Sequence, residues 1–334
     1  MNTSVQKPAV EILRVSDLEM YFPIRGGLIS HEIGRVHAVN GVSFGISKGE
    51  TLSIVGESGC GKSTVGRTIM KLVEPTGGTI VSMGKDITQL SRQEMRRHRR
   101  NIQMVFQDPY TSLNPRMMAE EIVAEPIRIH KTMPESEVGQ HVASLFDKVG
   151  LPRGGMQKFA HEFSGGQRQR IAIARALALS PQLIICDEAV SALDVSIQAQ
   201  VLNLLMDLQA DLGLAYLFIT HDLSVVEYLS HRVAVMYLGR IVEIADTKTI
   251  FSNPQHPYTK ALISVSPLPD PDADRSSRII LSGEVPSPIN PPSGCHFRTR
   301  CPVVMDICQE EFPQTRELGV GHKAACHKIV DVVA

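Results

Sequence analysis

An α/β fold with a parallel core is predicted for this chain, and three observations predict it. The stretch Gly56-Glu57-Ser58-Gly59-Cys60-Gly61-Lys62-Ser63-Thr64 has the spacing of a phosphate-binding loop. It lies between a short apolar strand, 51–55, and a helical segment, 65–72. Further apolar runs at 102–106, 183–186 and 214–219 read as buried strands separated by helical sequence. From about Asn253 this alternation gives way to a Pro-crowded stretch closed by Cys295, Cys301, Cys308 and Cys326.

Apolar residues make up 43% of the 334, enough to bury the core of one large domain plus a smaller appendage, or of two domains. The net charge of −1 argues against a protein that holds nucleic acid by overall positive charge. Residues 1–8 are polar and lack a signal peptide's apolar run, and no stretch approaches the ~18 uninterrupted apolar residues of a membrane span. The expectation is a soluble, cytosolic protein that meets a membrane only by docking on another subunit.

In chain order, 10–44 reads as antiparallel strands interrupted by a loop at Pro23–Gly34, with Asn40-Gly41 as a turn signal. Tyr21 on the first strand could stack on a base or be a half-buried strand residue. Ser91–Arg100 is a charged helix whose basic run, 96–100, reads as a solvated face. Residues 111–178 are mainly helical, and Ser164 is placed to cap a helix over 169–179, with Gly165 and Gly166 keeping its entrance free of side chains. A long amphipathic helix is expected over 196–212 and two more strands over 233–236 and 240–245. Pro254, Pro257, Pro267, Pro269, Pro271, Pro286, Pro288, Pro291 and Pro292 mark a linker and an irregular module.

The chemistry concentrates at strand ends. Gly56, Gly59 and Gly61 let the backbone close on phosphates, with the following helix N-terminus facing the anion. Lys62 would reach the β- and γ-phosphates and the Ser63 hydroxyl would help hold Mg²⁺. Asp187 ends an apolar strand as a second Mg²⁺ group, and the adjacent Glu188 is left to polarise an attacking water. Gln107 could sense both the metal and that water. His221 could hydrogen-bond the γ-phosphate as a neutral imidazole. Ser164-Gly165-Gly166-Gln167 offers a hydroxyl, bare N–H groups and a helix N-terminus, a second anion site that a simple kinase would not need.

Together these residues resemble the ATP-binding cassette (ABC) family over residues 10–250: Walker A Gly56–Ser63, Q-loop Gln107, signature Ser164–Gln167, Walker B Leu183–Asp187, catalytic Glu188, D-loop Ser191–Asp194 and switch His221. The resemblance implies a P-loop ABC-type nucleotide-binding domain with an N-terminal antiparallel β-subdomain and a helical signature subdomain at about 109–178. It implies ATP and Mg²⁺ as ligands, with Ser63, Gln107 and Asp187 on the metal and Tyr21 stacking on adenine. It also implies head-to-tail dimers in which each signature serves the partner's ATP. Phe163 in place of Leu, and Ala189-Val190 in place of Pro-Thr, depart from the family pattern without removing a reacting group. Soluble members acting on DNA or ribosomes carry coiled-coil or zinc insertions, or two cassettes, and none is present; no nucleic-acid partner is expected.

A narrower resemblance covers nearly the whole chain, including an extension over residues 251–334. Tyr110–Arg116, His256–Leu262 and Gly283–Pro288 through Cys301-Pro302 are similar to the oligopeptide/dipeptide importer ATPases. The long loop 22–36 and Asp187–Val190 look like the F type of subunit, which works beside a non-identical D type. The implied partners are that second ATPase, two transmembrane permease subunits and an extracytoplasmic solute-binding protein, with this chain peripheral on the cytoplasmic face of the membrane. Their cytoplasmic helices would dock beside 107–116. Relatives of this group also import nickel or oligosaccharides. The four late cysteines lack the paired spacing usual for zinc, although zinc remains an alternative; the resemblance favours a [4Fe–4S] cluster. His296, His322 and His327 are nearby substitutes, and Cys60 and Cys186 read as small packing residues.

Overall fold

Apolar and polar residues alternate along Glu11–Gly26 (β1) and His31–Ser47 (β2), so each strand buries one face. The structure, a computed structural model, describes residues 10–26, 31–108, 112–265 and 278–329. Pro109, Tyr110, Thr111, Pro267, Pro269 and Pro271 lie outside the described residues. The loop expected over 23–34 is largely strand instead. Ile33 Cδ1 lies 2.8 Å from where a Cβ on Gly26 would stand, and Ile24 Cδ1 is 3.9 Å from the equivalent point on Gly34. Each isoleucine therefore fills the space its partner glycine leaves, a cross-strand fit that carries the ribbon past Pro23. The chain then continues through Thr51–Val55 (β3), Lys62–Ile69 (α1), Gly77–Ser82 (β4), Lys85–Asp86 (β5) and Arg92–His98 (α2).

Two units are distinguished. The first comprises the residues up to Arg14, Gly45–Thr51 and Val81–Ile219. It carries Ile102–Val105 (β6), Ala119–His130 (α3), Glu135–Lys148 (α4), Gly165–Leu177 (α5), Leu183–Asp187 (β7), Val195–Leu212 (α6) and Ala215–Ile219 (β8). These strands pair in parallel, Val105 opposite Cys186 and Asp187 opposite Ile219. Every residue of β7 and β8 is buried, as continuous apolar runs in a parallel sheet require. Their carboxyl ends are level, so the residues that follow β6 and β7 emerge at one edge. α3, α4 and α5 pack through buried aliphatic positions such as Ile122, Val142 and Ile171.

The second unit comprises Val15–Phe44, Leu52–Ile80 and the chain from Thr220. It adds Leu223–Leu229 (α7), Arg232–Tyr237 (β9), Arg240–Asp246 (β10), Thr247–Ser252 (α8), Pro257–Ser264 (α9), Ile307–Glu310 (α10), Arg316–Gly319 (β11) and His322–Ala324 (β12). β3 runs parallel to β9, and β10 lies antiparallel to β9. The tail, expected to be irregular, contributes strand: β12 pairs with β10, Glu243 opposite Ala324, and β11 pairs with β12. A buried pair fixes this register. His322 Nε2 lies 2.8 Å from Glu243 Oε1, and Glu243 also accepts the N–H groups of Gln255 (2.7 Å) and His256 (2.9 Å). A fully buried carboxylate needs several donors to offset its desolvation, and here it has three.

His256 caps α9. Its Nδ1 accepts the Tyr258 N–H at 3.1 Å, and complete burial pushes its pKa down to about 3. It stays neutral when folded but protonates below about 6.5 when unfolded, so stability falls as pH drops through that value. His256→Asn keeps a capping acceptor and cannot titrate. Denaturant titrations at pH 7.5 and 5.5 should show the parent losing about 1.4 kcal/mol more than the variant between the two; equal losses would exclude a neutral buried His256.

Candidate functional site

Residues predicted from the sequence to act at a site occur in both units, and each set is described within its own unit. In the second unit the buried strand β3 feeds the loop 56–61, where close backbone approach makes glycine necessary. A Cβ on Gly56 (φ 153°) would stand 2.1 Å from the Met236 carbonyl oxygen, and one on Gly61 (φ 105°) 2.0 Å from that of Ala38. No side chain fits either gap. α1 starts at Lys62 rather than at the expected 65, with Gly61 as an N-cap that makes no side-chain bond. The loop backbone therefore runs directly into the helix N-terminus, the arrangement anion binding uses. Lys62 is 4% exposed, and its ammonium donates to the carbonyls of Gly56 (2.7 Å) and Glu57 (2.9 Å). Burial raises the pKa of the Cys60 thiol, in line with a packing role. Ser58 and Gly59 are exposed at the loop tip, and Ser63 and Thr64 are half-buried in the first turn of α1.

Tyr21 is half-buried on β1. Its hydroxyl donates to Asn40 Oδ1 at 3.1 Å, and its ring lies 4.6 Å from that of His37. Burial is the main cause raising its pKa. His221 is exposed on the turn between Thr220, whose N–H donates to the Ile54 carbonyl at 3.3 Å, and Asp222, which caps α7.

In the first unit, Asp187 is 3% exposed at the end of β7. Glu188 has a left-handed backbone (φ 49°), uncommon for a residue with a side chain. Its N–H donates to the Ile219 carbonyl at 2.8 Å, and its own carbonyl accepts from Ser191 N (3.1 Å) and Oγ (3.0 Å). Those bonds hold the strained turn and aim the carboxylate at Gln107, whose Nε2 donates to Glu188 Oε2 at 2.7 Å. The D-loop residue Asp194 is exposed and precedes α6, with its carbonyl accepting from Gln198 N at 2.7 Å.

The signature forms the expected cap. Ser164 Oγ accepts the Gln167 N–H (3.3 Å), and Gln167 Oε1 accepts the Ser164 N–H (3.0 Å). The helix begins at Gly165, four residues before the expected start. Gly166 has a second reason to be glycine: a Cβ there would stand 2.4 Å from Ile197 Cγ2 of α6.

Two residues that sequence reasoning did not single out touch the phosphate loop. Tyr258 Oη accepts the Glu57 N–H at 3.0 Å, and Arg300 grips the Glu57 carboxylate through Nη1 (2.7 Å) and Nη2 (3.1 Å). Both partners lie in the chain after residue 250, so no local pattern in the loop announces them.

The late cysteines are all free thiols. Cys295 N–H donates to the Cys308 carbonyl at 2.9 Å. Burial, then the charges of the other three cysteines, pushes the Cys295 thiol up to about 11. The four therefore share a neighbourhood, yet among the described residues no three His, Cys, Asp or Glu side chains form a group that could hold a metal ion. The substitute histidines are engaged elsewhere: His322 with Glu243, His327 with the Glu311 carbonyl (2.9 Å), and His296 edge-on to Phe312 (ring centroids 5.5 Å apart). No described helix is long and apolar enough to cross a membrane.

Residues 39–191 match the ABC transporter family, and residues 242–308 match the oligopeptide/dipeptide transporter C-terminal region. The oligopeptide transport ATP-binding protein AppF of Bacillus subtilis is 54% identical over 95% of this chain and 97% of its own length. A probable peptide ABC transporter ATP-binding protein, y4tS of Sinorhizobium fredii, is 52% identical over 95% of this chain and 89% of its own. Among solved structures, cbiO1 of Clostridium perfringens, part of an ABC transporter complex, aligns over 73% of this chain and 92% of its own with a TM-score of 0.63 and 29% identity. The dimeric cassette MJ0796 bound to ADP and Pi covers 71% of this chain and 99% of its own, with a TM-score of 0.63 and 27% identity. The chain has the ABC ATPase fold and belongs to the ABC transporter ATP-binding proteins that carry the oligopeptide/dipeptide transporter C-terminal region.

Proposed function

We propose that this chain is the ATP-hydrolysing subunit of an importer that energises uptake of peptides. The end-to-end similarity to oligopeptide transport ATP-binding proteins carries the peptide assignment. The Gln107–Glu188 hydrogen bond at a sheet edge supports hydrolysis, because it orients a carboxylate as a base. In this reading Tyr21 stacks on adenine and the 56–64 backbone cradles the phosphates. Lys62 neutralises the β- and γ-phosphates, and His221 contacts the γ-phosphate. Ser63, Gln107 and Asp187 are hard oxygen donors of the kind Mg²⁺ takes, and the bound ion neutralises phosphate charge. Glu188 accepts the proton of the attacking water.

The domain reading is a nucleotide-binding domain over 10–250 and an extension over 251–334. Ser164–Gln167 and Asp194 would complete the ATP site of a second subunit, in keeping with the dimeric cassette that shares this fold. The partner is a non-identical ATPase of the D type. Two permease subunits and a binding protein complete the importer, with this chain on the cytoplasmic face of the membrane. The described part of the permease dock is anchored by Arg175, which donates to the Ser112 carbonyl at 2.7 Å. The finer reading of the cysteines, a [4Fe–4S] cluster, rests on the family resemblance and on four soft thiol donors that share a neighbourhood.

Glu188→Gln should leave ATP affinity near that of the parent, lower steady-state hydrolysis about a hundredfold or more, and accumulate ATP-bound dimers in size-exclusion chromatography; turnover near the parent's would remove Glu188 from the base role. Protein purified without oxygen should contain about four irons per chain. Stoichiometric zinc without iron, or neither metal, would end the cluster assignment.

A further inference from the structure

Glu57 is the second residue of the phosphate loop, and each of its polar groups is held. Its N–H is taken by Tyr258 Oη, and its carboxylate by both terminal nitrogens of Arg300. Its carbonyl accepts from Lys62 Nζ at 2.9 Å. One residue thus joins the C-terminal extension to the lysine of the loop.

The Arg300–Glu57 contact is a two-pronged, charge-assisted pair with the arginine side chain 8% exposed and the glutamate 28%. Such a pair adds little net stability, because desolvating the guanidinium offsets most of the attraction. It does fix geometry: two parallel N–H···O bonds leave the carboxylate one orientation. The support behind it is rigid. Tyr258, Tyr237 and Phe297 meet with ring centroids 4.7 to 5.4 Å apart, and Cys295 and Cys301 pack against the same cluster. Val55, the last residue before the loop, belongs to that cluster.

We propose that Arg300 and Tyr258 are positioning residues for nucleotide binding, through which the C-terminal extension sets the conformation of the phosphate loop. Arg300 need not touch ATP. Holding Glu57 fixes the carbonyl that orients Lys62 and the start of the turn through Gly59 and Gly61. Releasing Glu57 leaves the loop more conformations, and ATP must then select the competent one at a cost in affinity. This inference rests on the reading of the loop as an ATP site.

The test uses the full chain and Mg-ATP, with affinity measured by calorimetry and thermal unfolding recorded without nucleotide. Arg300→Met should weaken binding about tenfold, and Glu57→Gln by a similar factor. The double variant should be no weaker than the weaker single, because both act through one contact. Arg300→Lys should recover part of the affinity by keeping the charge without the fork. Tyr258→Phe removes only an oxygen from a packed ring, so it reads the same coupling should Arg300→Met fail to fold; it too should weaken binding. Folded variants with parent-like affinity, or single effects that add in the double, would overturn the proposal. A parent that binds no Mg-ATP would instead overturn the functional reading on which it stands.

Discussion

Everything in the second unit bends around the closeness of backbone to backbone at Gly56 and Gly61. Carbonyls of Met236 and Ala38 occupy the space that side chains would need, so the loop, the end of β9 and the strand β2 meet at main-chain distance. Lacking a Cβ, both glycines also take positive φ, which turns the loop back toward α1. Lys62 is buried beside them, with its ammonium supported in its own unit by neutral carbonyls. An ammonium removed from water and held by dipoles favours anions strongly, since the low local dielectric strengthens any charge it meets. The cationic surroundings of the loop are thus a product of packing as much as of residue identity.

In the first unit, the acidic residues use strain. Glu188 adopts a left-handed backbone that costs on the order of 1 kcal/mol for a residue with a side chain. Three hydrogen bonds over-determine the turn, one to the neighbouring strand and two from Ser191. A regular continuation of β7 would send Glu188 to the face opposite Asp187. The left-handed step frees it from that alternation and lets its carboxylate meet the Gln107 amide, which follows β6. Two adjacent carboxylates thereby take different roles, one buried at the strand end and the other directed along the edge toward an amide donor.

The sequence revealed elements whose signal is local. β7 and β8 carry apolar runs, β6 is apolar except at Gln103, and Ser164 with Gln167 spells a cap that the helix then uses. What escaped has a physical reason in each case. The β1–β2 ribbon looked like a loop because Pro23, Gly26 and Gly34 break strand patterns, whereas here the glycines receive isoleucines across the ribbon. The hairpin β11–β12 is too short for its alternation to rise above its surroundings, and it forms because Glu243 and His322 fix its place on β10. The φ of Glu188 leaves no trace in composition. The grip of Arg300 on Glu57 spans 243 residues, and an ion pair has no period to detect. The clustering of four late cysteines raised the expectation of a metal centre, but liganding distances are set by how the module folds, and sequence spacing does not encode them.

The extension then stops being an appendage. β10 holds β9 on one side and β12 on the other, and β9 supplies the carbonyl that packs on Gly56. Phe297, between the cysteines in sequence, fills the cluster that contains Val55, Tyr237 and Tyr258. Removing the extension would expose these rings and strip Glu243 of His322 and of the Gln255 and His256 N–H groups that hold its carboxylate. Cys295 and Cys301 pack against the same rings. The cysteine module and the phosphate loop therefore share one close-packed core.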